Sequence, residues 1–145
     1  MGVESYISSS PEETMEIGRK LADRIGALTI IALQGELGSG KTHFVKGFAQ
    51  GFGIDPNNVS SPTYSLIQEY IGQNQIIYHI DAYRLNTTDE AHSIGLDELL
   101  YGDELCLVEW PERIRELLPL DTLWIHFTRL GEHSRRIDIH FSETS

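Results

Sequence analysis

The segment Gly35-Glu36-Leu37-Gly38-Ser39-Gly40-Lys41-Thr42 sets glycines, a lysine and a hydroxyl at the spacing G-x-x-x-x-G-K-[ST]. Small residues at Gly38, Ser39 and Gly40 let backbone N–H groups converge on a β-phosphate, at dihedrals that a bulky side chain resists. A helix directly after the loop turns its positive end to the same phosphates. The Lys41 ammonium can bridge β- and γ-phosphates, and the Thr42 hydroxyl can ligate magnesium. Gly38, Ser39, Gly40, Lys41 and Thr42 are therefore candidate phosphate-binding residues, grouped with His43, which continues the helix. The chemistry open to this spacing is magnesium-dependent handling of a nucleoside triphosphate.

Such a loop needs an acid at the end of a neighbouring buried strand, to hold the hydrated magnesium. Asp81 follows Ile76-Ile77-Tyr78-His79-Ile80, and Glu109 follows Leu105-Cys106-Leu107-Val108. Both acids arrive where an apolar run stops, and periodicity alone does not choose between them. Guanine-specific proteins read their base with an Asn/Thr-Lys-x-Asp segment. Lys20, Lys41 and Lys46 are the lysines of this chain, and none has an acid two residues later, which leaves ATP as the expected ligand. A small-molecule kinase would carry an Arg-rich lid. The pairs Arg113/Arg115 and Arg135/Arg136 do not sit in a long lid, so that class is disfavoured and kept as an alternative.

The elements that must position these residues follow from local pattern. Val3 to Ile7 is a candidate strand. Ser10-Pro11-Glu12-Glu13 opens a helix with Ser10 as N-cap, Pro11 at the first position and Glu13 closing a capping box. Ile17, Leu21 and Ile25 form its apolar stripe, and Gly26 is its expected stop. Leu28 to Leu33 is a nearly continuous apolar run, as for a strand covered on both faces. Phe44, Val45, Phe48, Ala49 and Phe52 take helical spacing until Gly53. Thr63–Tyr70 and Gln75–Ile80 form an expected antiparallel hairpin around Gly72-Gln73-Asn74. Thr87 to Glu90 caps a short helix that Gly95 ends, and Pro111 to Leu118 is a further short helix. Leu123–Phe127 and Arg136–Phe141 make a second hairpin around Gly131. The expected fold is a three-layer α/β P-loop domain, with a mixed, mainly parallel sheet and antiparallel hairpins.

The 145 residues suit one domain, 1–145, without repeat or linker. With 22 acidic against 11 basic residues the formal net charge is -11, which repels nucleic-acid backbones, so any nucleic acid is expected to be held by something else. Cys106 is the single cysteine and excludes an internal disulfide; its apolar run marks it as a small buried hydrophobe. His79, His92, His126 and His140 take ordinary places in strands and a helix, without zinc-ligand spacing. No apolar run spans a membrane and no export signal opens the chain, so the expected address is the cytoplasm.

Four segments together carry a resemblance: Gly35 to Thr42, Ser61-Pro62-Thr63-Tyr64, His79-Ile80-Asp81-Ala82-Tyr83-Arg84 and Val108-Glu109-Trp110-Pro111-Glu112. In order and spacing they resemble the TsaE (YjeE) family, bacterial P-loop ATPases of tRNA threonylcarbamoyladenosine modification, from about Ser10 to Phe141. The resemblance implies that Lys41 and the loop amides hold phosphates, with Thr42 and Glu109 on magnesium. Asp81 would either stand behind the magnesium ligands or orient the attacking water. Thr63 would belong to a switch-like loop that senses the γ-phosphate, and Pro11 and His133 lie where the family packs on adenine. Tyr83 and Arg84 would support catalysis or meet a partner. The implied partners are the TsaB and TsaD proteins, with tRNA reached only through that complex and ATP turnover slow and partner-stimulated. A non-hydrolysing nucleotide-binding scaffold is the other alternative, disfavoured by the two strand-end acids.

Overall fold

The computed structural model describes residues 2–25, 30–36, 38–60 and 66–141. Strand β1 (Val3–Ser8) leads to α1 (Pro11–Arg24), then β2 (Ile30–Gln34) and α2 (Lys41–Gln50). After a 3-10 turn at Pro56–Asn58 come β3 (Ile67–Ile71), β4 (Ile76–Asp81), α3 (Thr88–Ser93) and α4 (Leu96–Leu100). The chain closes with β5 (Leu105–Glu109), a 3-10 segment Pro111–Leu117, β6 (Leu123–Arg129) and β7 (Arg135–His140).

One seven-stranded sheet has the order β1-β7-β6-β2-β5-β4-β3. Its four central strands, β6, β2, β5 and β4, are parallel, so their carboxyl ends leave the sheet along one edge. The outer pairings β1–β7, β6–β7 and β3–β4 are antiparallel, which delivers both expected hairpins. Burial follows the pairing. All five residues of β5 are buried, as are the first four of β2, because helices cover both faces of the parallel centre. In β6 buried and half-buried residues alternate from Leu123 to Phe127: the buried ones join the core under α1 and α2, while Trp124 packs at the margin of the opposite core.

The sheet separates two cores. On one face Leu21 of α1 and Phe44 and Phe48 of α2 pack on Ile31, Leu33, Leu107 and Ile125. On the other, Leu96 and Leu100 of α4 and Ile114 pack on Ala32, Ile80, Cys106 and Val108. Helices α1 and α2 meet through Gly18 and Gly47. A methyl at either would strike the backbone of the facing helix, so small residues set how closely α1 can approach the helix that leaves the Gly-rich loop.

Local signals hold where hydrogen bonding is short-range. The Ser10 side chain accepts from Glu13 N at 3.1 Å, and Glu13 Oε1 accepts in return from Ser9 N at 2.7 Å. Such a cap contributes about 1 kcal/mol. Thr87 Oγ1 accepts from Glu90 N at 3.2 Å. Two expectations are refined. The helix after Thr87 does end at Gly95, whose N–H closes on the His92 carbonyl at 3.0 Å from a left-handed conformation at φ 76°, and the same glycine also opens a further short helix, α4. The segment after Pro111 is 3-10 rather than α-helical, broken at Ile114 and entered from Trp110 at φ 56°. Leu118 precedes Pro119 and takes the extended ψ of 136° that a proline favours in the residue before it, which stops any longer helix. Leu28, Thr29, Gly26 and the first residues of the Thr63–Tyr70 run lie outside the described residues.

Candidate active site

The Gly-rich loop joins β2 to α2, so strand, loop and helix follow one another as the sequence pattern predicts. Helix α2 starts at Lys41 with Gly40 as its N-cap at φ 103°, and Gly38 stands at φ 78°. L side chains rarely adopt these left-handed values, so both glycines are needed for the path of the loop. The first turn of α2 contains no acidic residue, which leaves its positive end uncompensated. The Ser39 hydroxyl is buried yet has no hydrogen-bond partner among the described residues. Leaving a buried hydroxyl unpaired costs about 1–3 kcal/mol, a cost that an arriving acceptor oxygen removes.

Lys41 is buried too. Its Nζ donates to the Gly35 carbonyl at 2.6 Å, lies 4.7 Å from the centroid of the Trp110 ring, and stands 3.9 Å from Glu109 Oε1. Glu109, at the end of β5, is 5% exposed. Its other oxygen, Oε2, accepts from His79 Nε2 at 2.6 Å. Burial alone would raise the Glu109 pKa. The His79 hydrogen bond, the charge of His79 and that of Lys41 together outweigh it and hold the carboxyl below its ordinary range. Behind His79, the Tyr70 hydroxyl sits 2.9 Å from Nδ1, within reach of Gln68 Oε1 at 2.7 Å and of the Ser60 carbonyl at 3.1 Å. Burial pushes the Tyr70 phenol up to about 12, so it stays protonated.

Asp81 is the register partner of Glu109 on β4, and its environment differs. It is half-buried, and Oδ1 accepts from the Tyr83 backbone N–H at 2.9 Å, a local turn contact. Tyr83 and Arg84 are exposed. The Tyr83 ring lies between Trp110, at 5.0 Å, and the Arg113 guanidinium, at 5.2 Å.

A cleft of about 320 Å³ joins these pieces. Gly38, Gly40, Lys41, Thr42, His43 and Glu109 line one side; Ser10, Pro11 and Thr14 of α1, with Glu132, His133 and Arg135 of the β6–β7 turn, line the other. The fold thus brings Pro11 and His133, more than a hundred residues apart, to the rim of the phosphate loop. Asp81 does not line the cleft, and Thr63 lies outside the described residues. Among the described residues no group of three or more His, Cys, Asp or Glu could enclose a metal. The donor set that does meet here, one hydroxyl and one carboxylate, suits magnesium, which keeps waters and shares itself with substrate phosphates.

Three residues escape the sequence pattern. His79 takes an ordinary strand place in it, yet the residue is fully buried and bonded through both ring nitrogens. The strand period does put it on the Asp81 face, but nothing local names its partner, which lies 30 residues on. Tyr70 is an anonymous strand residue in that pattern. Arg135 figures there only as one of a pair. Its Nη1 donates to the carbonyls of Gly131 and Ser134, both at 3.0 Å, bracing the turn that carries His133.

Known proteins resemble the chain along nearly its full length. A family model described as threonylcarbamoyl adenosine biosynthesis protein TsaE matches residues 8–137. The tRNA threonylcarbamoyladenosine biosynthesis protein TsaE of Bacillus subtilis is 43% identical over 128 residues, covering 88% of this chain and 79% of that protein. Its namesake from Treponema pallidum is 36% identical over 133 residues, 92% of this chain and 97% of the other. The crystal structure of Bacillus subtilis YdiB superposes with a TM-score of 0.77 at 34% identity, covering 96% of this chain and 85% of that one.

Proposed function

The chain belongs to the TsaE family of threonylcarbamoyladenosine biosynthesis proteins, and from that premise we propose that it binds ATP with magnesium and hydrolyses it slowly, in service of tRNA modification. The observation that carries this reading is the meeting of Lys41 Nζ and Glu109 Oε1 at 3.9 Å beside the phosphate loop. Lys41 leaves the Gly35 carbonyl to take the β- and γ-phosphates, while the amides around Gly38, Ser39 and Gly40 receive their oxygens. Thr42 and Glu109 hold magnesium, which supplies positive charge against the charge that builds on the transferring phosphoryl group. Asp81 supports this pair from the neighbouring strand. Pro11 and His133 flank the base, and Thr63 answers to the γ-phosphate.

No small acceptor is needed in this reading. Binding and hydrolysis drive a cycle in which this chain joins and leaves TsaB and TsaD, and those proteins hold the tRNA. The net charge of -11 supports that division of labour. No helix among the described residues is long and apolar enough to cross a membrane, and a cytoplasmic site of action fits the reading. A kinase lid gains little support, because three of its four candidate cations are engaged away from the cleft and the fourth, Arg135, has Nη1 donating to carbonyls of its own turn at the cleft rim. Arg113 stacks on Tyr83, Arg115 on Trp124 at 4.4 Å, Arg135 braces a turn and Arg136 pairs with Asp138.

Phosphate release from Mg-ATP, with the protein alone and then with TsaB and TsaD, tests the proposal. Slow turnover that rises on mixing and vanishes in Lys41→Ala is the expected result. A rate indifferent to both proteins overturns the coupling; product that requires a small hydroxyl acceptor turns the reading to a kinase.

A further inference from the structure

We propose that His79, with Tyr70 behind it, is a positioning residue that holds Glu109 in one orientation, so that a single carboxylate oxygen faces the nucleotide cleft. The inference rests on the reading of Glu109 as a magnesium ligand and deepens it.

Glu109 stands opposite Asp81 in the β4–β5 register, and His79 lies two residues before Asp81 on the same face of β4. The histidine therefore reaches diagonally across the strand pair to the acid. Its Nε2 takes Oε2 at 2.6 Å, which leaves Oε1 as the oxygen turned to Lys41. An unrestrained glutamate has three rotatable bonds, and ordering it at the moment of metal binding would weaken that binding. The ring removes this freedom beforehand. A carboxylate acceptor requires a proton on Nε2 whatever the state of Nδ1, so the contact is the same for a neutral or a charged ring.

Tyr70 completes the device. An isolated buried imidazole nitrogen would be unsatisfied, but the Tyr70 hydroxyl lies 2.9 Å from Nδ1, donating to a neutral ring or accepting from a charged one, in which case its proton turns to Gln68 Oε1 at 2.7 Å or the Ser60 carbonyl at 3.1 Å. The ring is 0% exposed. An aliphatic side chain could fill the same place without needing two polar partners, so space-filling alone does not account for a histidine there. Residues that orient a metal ligand through a hydrogen bond change metal affinity when lost, and usually by about 10–100-fold.

The experiment uses the full chain with ATP and Mg2+ as probes. The magnesium concentration at half-maximal hydrolysis is measured for His79→Leu, His79→Gln, Tyr70→Phe, Glu109→Gln and the double variant His79→Leu/Glu109→Gln. ATP affinity is measured separately in excess chelator. His79→Leu should raise the half-saturating magnesium roughly tenfold, while chelator-state ATP affinity stays within about twofold. His79→Gln, whose amide N–H stands near the place of Nε2, should recover most of the loss, and Tyr70→Phe should show a smaller shift of the same kind. The double variant should be no worse than Glu109→Gln, because His79 acts only through that acid. In the metal-free protein the imidazole Nε2 proton should be observable by nitrogen-correlated NMR, protected from exchange, and lost in Glu109→Ala.

Unchanged magnesium dependence in His79→Leu overturns the proposal, as do additive losses in the double variant or an equal loss of metal-free ATP affinity. If His79→Leu does not fold, Tyr70→Phe decides, since it removes one oxygen only; no shift there overturns the proposal. Unchanged magnesium dependence in Glu109→Gln overturns this inference together with the site reading beneath it, whereas a shift in Glu109→Gln alone leaves that reading standing.

Discussion

Strands β4 and β5 end side by side with an acid each, and the two acids are paired in register. Their fates differ. Glu109 is buried, bonded to a buried histidine and set near the Lys41 ammonium. Asp81 is half-buried, and one of its oxygens serves the backbone of its own turn. The difference comes from the turn that each strand enters. After β5 the chain passes through Trp110 in a left-handed conformation, and that ring closes over Lys41. After β4 it turns outward through Tyr83 and Arg84, both exposed. Equal position on a sheet edge therefore does not give equal chemistry. The depth of the neighbouring loop decides how much a carboxylate is worth.

The largest expected effect tests the lysine beside the buried acid. Lys41→Ala should weaken ATP binding by at least roughly a hundredfold, about 3 kcal/mol, as expected for charge-assisted hydrogen bonds lost to phosphate; calorimetric titration with Mg-ATP measures it. Unchanged affinity would remove Lys41, and with it the neighbouring Glu109, from the phosphate site.

Next comes the buried acid. Glu109→Gln keeps shape and loses charge, and should lower ATP turnover on the order of a hundredfold. Single-turnover phosphate release at saturating Mg-ATP is the measurement. Its pH dependence has a definite sign. The folded carboxyl titrates below its ordinary value of 4.5, so its stabilising contribution is complete above that value and is lost as pH falls through the lowered one. The stability gap between the native chain and Glu109→Gln should accordingly close in acid.

Asp81 should respond less. Asp81→Asn retains the oxygen that accepts from Tyr83 N–H, and turnover should stay within roughly tenfold of the native rate by the scale of indirect ligand contacts. Asp81→Ala should also lose about 1 kcal/mol of stability from that turn contact, read by urea denaturation. A loss in Asp81→Asn equal to that in Glu109→Gln would reverse the ranking of the two acids.

The smallest effect belongs to a half-buried surface carboxylate that serves as a control. Glu4 is bonded to Arg24 and Tyr6, and these contacts lower its pKa to about 2 against slight burial. Its pair with Arg24 is well exposed, so screening limits its worth to about 0.5 kcal/mol or less. Glu4→Gln should cost no more than that at neutral pH. The gap should fade as pH falls from 4.5 to about 2, the window between the ordinary and the folded pKa.

Much of this molecule is legible in one dimension. The Ser10 and Thr87 caps, the two hairpins and the buried central strands all follow from contacts between residues close in sequence, or from the period of a strand. The mainly parallel sheet resolves into a parallel centre with antiparallel flanks. Where local pattern falls short, the deciding contact lies far away. His79 does stand in a strand, but its role is invisible there, because the Glu109 carboxylate that defines it is on another strand. Likewise Arg135 owes its place in the cleft to a turn packed beside α1, and Gly95, besides ending α3, opens α4, which has a core face of its own to bury.

The phosphate loop needs nothing beyond its own amino acids to be read. Its glycines, lysine and threonine lie within eight consecutive positions, and their geometry is set by backbone dihedrals and by the helix they open. Which acid stands beside that lysine, and what holds it there, is settled in three dimensions alone. Glu109, His79 and Tyr70 come from three different strands, and only the β3–β4–β5 pairing, by burying all three on one face, obliges each polar group to find its partner in the next.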